Sequence, residues 1–139
     1  MPAEPATPSL VELTRQVFDA ADRGDFDAVI SRFAPDAVWD SHVIDARFEG
    51  VAEIRAFFER WFAAYDAFDV RAEDILDLGS GVVVCVFMNE SRPSEQEREP
   101  GLWFALVILW SGELVERVIG EEDLAAARAT ADRLVEERA

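Results

Sequence analysis

Between residues 51 and 65 the chain sets Val51, Ile54, Phe57, Phe58, Trp61, Phe62 and Tyr65 at three- and four-residue spacing. That spacing predicts a helix with one wide aromatic stripe, and such a stripe must be covered by something large and apolar. The cover is found further along the chain. Residues 82–90 (VVVCVFMNE) and 101–110 (GLWFALVILW) are strand-like and apolar at successive positions. Gly79-Ser80-Gly81 makes a hairpin between 68–78 and 82–90, and Ser111-Gly112 makes another between 101–110 and 113–119. A long aromatic helix against four long antiparallel strands is therefore the expected centre of the fold. Strands apolar on both faces need two covers: helices on one side, and a cavity, a partner subunit or both on the other.

The remaining segments fit around this centre. Residues 1–8 have no apolar period and are expected to be a flexible lead-in. Ser9 and Glu12 form a capping box before Leu10, Leu13, Val17 and Ala21, and Gly24 ends that helix. Asp25 caps a second short helix carrying Phe26, Val29, Ile30 and Phe33, which Pro35 stops. Residues 37–43 (AVWDSHV) read as a strand. Residues 121–138 read as a last helix, with Glu121, Glu122 and Asp123 at its start and Arg128, Arg133 and Arg138 later, as the helix dipole favours. Its narrow stripe of Leu124, Ala127, Ala131 and Leu134 suits a helix lying on the outside of a body. The expected organisation is one domain over 9–120 with a C-terminal helix, 121–139, packed on it.

Composition narrows the function classes. The 139 residues carry 13 Lys+Arg against 29 Asp+Glu, a formal net charge of −16. So negative a surface repels phosphate backbones and anionic lipid heads, so neither nucleic acid nor a membrane surface is an expected partner. Cys85 is the single cysteine and His42 the single histidine, so no internal disulfide, structural zinc site or two-histidine catalytic site can form. No basic and apolar leader opens the sequence, and the apolar run Leu102 to Trp110 is too short to span a bilayer as a helix. A soluble cytoplasmic protein is the expectation. There is no glycine-rich phosphate loop, nucleophile elbow or paired-histidine metal motif, and no cofactor is implied.

The order helix, helix, strand, long helix, four strands comes with three local phrases: Arg23-Gly-Asp-Phe-Asp, Phe33-Ala-Pro-Asp-Ala-Val-Trp, and Phe48-Glu-Gly-Val followed by Ile54-Arg-Ala-Phe-Phe. Together they resemble the nuclear transport factor 2-like superfamily, and within it the SnoaL-like, polyketide cyclase-like branch. The resemblance implies an α+β fold: a curved antiparallel or mixed sheet wrapped as a cone around the long helix, with an N-terminal helical hairpin and a C-terminal helix. It implies a pocket at the open end and a homodimer through the outer face of the sheet. It does not imply one chemistry, because the superfamily includes isomerases, dehydratases, cyclases and non-catalytic modules. Set against the ketosteroid isomerases, the tyrosine position falls on Val17, the base on Ser41 and the second acid on Phe104. None of the three can move the proton that reaction needs.

Candidate site residues follow from these readings. Trp39, Phe58, Trp61, Phe62, Tyr65, Phe87 and Phe104, with Val17 and Ser41, are the expected lining of a pocket for a small hydrophobic molecule. The same aromatics can equally pack on one another as core. Asp40 and His42 share a strand face, so a carboxylate could orient an imidazole there. Alternation that sends Trp39, Ser41 and Val43 inward sends this pair outward, where both would be solvated. Arg117 alternates with Val115 and Ile119, which the resemblance places on the cavity side, where it would need a carboxylate or an anionic ligand; near a rim it would reach water instead. Cys85 is read as a small inert hydrophobe. Two functions remain open: a SnoaL-like ligand-pocket protein, cyclase or isomerase in its catalytic form, and a non-enzymatic dimerisation or interaction module.

Overall fold

The computed structural model describes residues 9–42, 45–63, 65–67, 70–89, 92–93 and 102–138, with the backbone alone at 22 and within 61–74 and 86–104. The expected lead-in, 1–8, lies outside the described residues. In chain order the elements are α1 (Leu10–Asp22), α2 (Phe26–Ser31), β1 (Phe33–Ser41), β2 (Ala46–Glu49) and α3 (Val51–Ala63). There follow β3 (Tyr65–Ala67), β4 (Val70–Gly79), β5 (Val82–Asn89), β6 (Arg92–Pro93), β7 (Leu102–Ser111), β8 (Leu114–Glu121) and α4 (Leu124–Arg138). Six strands form one curved sheet in the order β2-β1-β8-β7-β5-β4, the cone expected around the long helix. Strands β3 and β6 pair separately. Every long neighbour pairs antiparallel except β1 with β8, which run parallel, so the sheet is mixed.

Local chemistry sets the element ends. The Glu12 N–H donates to Ser9 Oγ at 3.1 Å, and the Ala28 N–H to Asp25 Oδ1 at 3.2 Å. At the β4–β5 hairpin Ser80 and Gly81 both have positive φ, 56° and 79°, the backbone that matches the strands' twist. Gly81 is held to glycine twice over, since an added Cβ would lie 2.6 Å from the Trp110 carbonyl oxygen.

Several expected boundaries move. Helix α2 ends at Ser31, and Phe33 opens β1 instead of closing the helix. Pro35 sits inside that strand, between the paired positions Phe33 and Val38 where the register shifts, so its missing N–H costs no ladder bond. Helix α3 stops at Ala63, leaving Tyr65 as the first residue of β3. Glu121 is the last residue of β8, and Asp123 caps α4 by accepting the Ala126 N–H at 2.9 Å.

The two apolar faces of the sheet have different covers. Val83, Cys85, Leu106, Ile108 and Trp110 join Leu13 of α1, Val29 of α2 and Ile54, Phe57 and Phe58 of α3 in one core. Val82, Val84, Ala105, Val107, Leu109 and Ile119 join Ala127, Ala131 and Leu134 of α4 in the other. The chain's own C-terminal helix thus lies on the outer face. The resemblance implies a homodimer through this outer face, and within the chain α4 packs on that part of it which Val82, Val84, Val107 and Ile119 form. Helix α4 is also clasped by polar contacts. Arg138 donates to the Ser80 carbonyl at 2.9 Å and to Glu116 Oε2 at 2.7 Å. No helix among the described residues is long and apolar enough to cross a membrane.

Candidate functional site

Inside the cone, strand alternation puts Phe33, Ala37, Trp39 and Ser41 of β1 on the face that meets α3, and all four are buried. Trp39 is the hub of an aromatic cluster. Its ring stacks on Phe33 at 6.5 Å, meets Phe57 at 5.9 Å and takes Phe58 edge-on at 5.2 Å. Phe48 stacks on Phe57 at 4.5 Å and extends the cluster to β2. This half of the interior is packed core, the bland alternative for Trp39 and Phe58. Nearby, Trp110 Nε1 donates to the buried Thr14 hydroxyl at 3.2 Å, so neither polar group is stranded.

Two residues beyond Trp39 the lining changes. Ser41 is buried on the same face and pairs with Gly120 of β8. A Cβ on Gly120 would meet Ser41 Oγ at 3.6 Å and Leu106 Cδ2 at 3.7 Å, ordinary contact distances, so the glycine leaves the space of one methyl group beside the hydroxyl. Val17, on α1, is half-buried against the same core. Among the described residues of this interior core the ionisable side chain is Cys85, and burial pushes its thiol far up, which keeps it protonated and inert. The remaining candidates are placed by backbone alone: Trp61 and Phe62 on the last turn of α3, Tyr65 in β3, and Phe87 opposite Phe104 in the β5–β7 register. Their side chains lie outside the described residues.

Asp40, His42 and Arg117 stand on the other face. Asp40 points outward, as alternation predicts, but it is not merely solvated: Arg117 Nη2 donates to Asp40 Oδ2 at 3.2 Å and Arg47 Nη1 reaches the same oxygen at 3.5 Å. Arg117 is therefore outside the cone, contrary to the expected cavity side. The cause is a bulge at Glu116. Leu109 pairs with Arg117 and Trp110 with Val115, so one extra residue on β8 reverses its alternation. Val115 and Val118 face the inner core while Arg117 and Ile119 face out. Arg117 Nε is buried with no acceptor among the described residues, although the guanidinium keeps its carboxylate partner.

His42 has a carboxylate partner other than Asp40. Its Nδ1–H donates to Glu121 Oε1 at 3.0 Å, and the Thr130 hydroxyl donates to Glu121 Oε2 at 2.6 Å. Glu121 and Thr130 are both buried. This arrangement joins the end of β1, the end of β8 and α4, and it escaped the sequence reading because Glu121 was assigned to the helix. Extending β8 by two residues would have put Glu121 on the face of Arg117 and Ile119. Thr130→Val keeps the shape of the residue but strips a hydrogen bond from a buried carboxylate, a loss of about 1–3 kcal/mol. Urea unfolding checks it, with Ala129→Val on the exposed side of α4 as the control.

The SnoaL-like domain family model matches residues 14–108, well over half of the 139. None of the curated proteins matches the sequence. Solved structures with the same fold include a hypothetical protein of ketosteroid isomerase-like fold from Catenulispora acidiphila, in complex with trimethylamine. That match has 17% identity and TM-score 0.71, covering 91% of this chain and 95% of that one. An NTF2-like protein of unknown function from Burkholderia pseudomallei matches at 17% identity and TM-score 0.70, covering 86% and 94%. TerC co-crystallised with polyporic acid matches at 16% identity and TM-score 0.69, covering 88% and 97%. At such identities these likenesses speak for the fold alone.

Proposed function

The chain belongs to the SnoaL-like domain family, and from that premise we propose that it holds a small hydrophobic molecule, aromatic or polycyclic, in the cone beside Ser41 and Gly120. The observation that carries this reading is the change along β1 from the large Trp39 ring to Ser41 facing a glycine, on a face otherwise lined by aromatic and aliphatic side chains. An apolar wall with one hydroxyl suits a ligand that is mostly ring and carries a single polar group. Two fold relatives were solved with small molecules, trimethylamine and polyporic acid, which fits this use of the fold without naming this chain's ligand.

The reading is one of binding before chemistry. Asp40, His42 and Arg117 lie on the far side of the sheet, and the described interior offers Thr14, Ser41 and a protonated thiol. In its finer form, a cyclase or isomerase, the protein would act by folding a substrate into a reactive shape in dry surroundings.

A thermal-shift series with polycyclic ketones and fatty acids tests it. A ligand present at 100 times its Kd stabilises the fold by about 2.7 kcal/mol, and at least one of the ketones is expected to raise Tm. Ser41→Phe should abolish that rise while leaving the unliganded protein folded by circular dichroism. No shift with any ketone or fatty acid, or an undiminished shift in the Ser41→Phe variant, would reject the cone as the site.

A further inference from the structure

We propose that the groove between α1 and α2 binds a small zwitterion of the amino-acid or dipeptide kind, its carboxylate held by Arg23 and Arg32 and its ammonium by Asp19. The groove is open and concave, about 320 Å³, and is lined by Gln16, Asp19 and Arg23 from one helix and by Ser31 and Arg32 from the other. That volume matches the lower end of small-molecule sites, roughly 300 Å³. Ala20 and Ala28 also line it, and their small side chains leave it depth.

Both guanidiniums spring from fixed backbone. Arg23 closes α1, its N–H directed at the Asp19 and Ala20 carbonyls, and Arg32 closes α2, its carbonyl accepting the Val115 N–H at 2.7 Å. Each is ion-paired through one nitrogen only: Arg23 Nη2 with Asp25 at 3.8 Å and Arg32 Nη1 with Glu113 at 3.5 Å. A guanidinium has five donors, so most of this capacity is unspent. Asp19 lies one turn before Arg23, the spacing of a helical ion pair, yet Arg23 turns to Asp25 instead. Asp19 has no ion pair among the described residues, so a negative group stands open in a groove that also presents two cations. The Ser31 hydroxyl donates to the Ala28 carbonyl at 2.7 Å, which leaves its oxygen free to accept.

The choice of a zwitterion follows from charge. A net charge of −16 repels any anion approaching from a distance, whereas a ligand with no net charge meets no such barrier. At close range, opposed charges in the groove reward a ligand that carries both signs. Val17, expected among the cone's lining, lines this groove as well; the charged groups of the groove are not among the cone's candidates, and binding here does not depend on the cone's ligand.

Titration of the ¹⁵N-labelled full chain with glycylglycine tests the proposal, with acetate and methylammonium as single-charge arms. Saturable shifts are expected at the backbone amides of Gln16, Ala20, Ala28 and Ser31. Acetate should bind about tenfold more weakly, the worth of the one charge-assisted contact it lacks, and methylammonium, which lacks the contacts to both arginines, more weakly still. Arg32→Gln and Asp19→Asn, at partly or fully exposed positions, should each weaken glycylglycine to a similar extent, while Arg128→Gln on α4 should not. Absence of saturable shifts, equal binding of acetate, or indifference to both groove substitutions would overturn the assignment.

Discussion

Ending the chain at Asp123, so that α4 is lost, is expected to turn the protein into a self-associating species at micromolar concentration. The helix covers Val82, Val84, Val107 and Ala105, all fully buried, together with Leu109 and Ile119. Uncovering them would create a contiguous apolar face, and monomeric proteins rarely expose more than roughly 300–600 Å² of such surface. The truncation also removes Leu134, whose reduction to alanine alone would cost about 2–5 kcal/mol. It leaves the buried Glu121 carboxylate without Thr130 as well. Sedimentation of full-length and truncated chains at matched concentration reads the outcome. A truncated chain that stays monomeric and keeps its Tm would mean that α4 is an ornament and not a cover.

Ile54→Ala is expected to destabilise the fold by about 3–4 kcal/mol, near the middle of the range for a large aliphatic residue emptied from a core. Ile54 is completely buried in the core that α3 forms with α2, β1 and β2. Its neighbours Phe57, Phe58 and Trp39 are locked ring against ring, and cannot collapse into the space without breaking those contacts. For a chain of this length the fall in Tm should be about 10 °C, since each kcal/mol is worth a few degrees. Ala52→Gly, exposed on the same helix, separates packing from helix propensity, which should cost about 1 kcal/mol. A loss no larger for Ile54→Ala than for Ala52→Gly would mean that α3 is not the axle of the core.

The capping of α1 by Ser9 and of α2 by Asp25, the hairpin at Gly79-Ser80-Gly81 and the aromatic stripe of α3 are all visible in the sequence. Each depends on contacts within a few residues. The family resemblance also pointed to the correct cone, because helix ends and turn residues are what relatives share. The candidate site was less legible. Asp40 and Arg117 were singled out separately, 77 positions apart, and nothing local says that they meet. His42 was matched with Asp40, its neighbour on the strand, while its true partner is Glu121, 79 positions away.

The order of residues by itself pointed to the four helices and the long strands, though not to β2 (Ala46–Glu49) or to every end, because caps, turns and periodicity act over one or two turns of chain. Only the tertiary structure decided what each face looks at. A single unpaired residue, Glu116, reverses the alternation of β8 and carries Arg117 from the inside of the cone to the outside. A bulge is chosen by how two strands must bend together, and so is invisible in either strand alone. The two-sided apolar strands likewise called for a second cover and the narrow stripe of the last helix suited the outside of the body, but only packing joined that helix to Val82, Val84 and Val107.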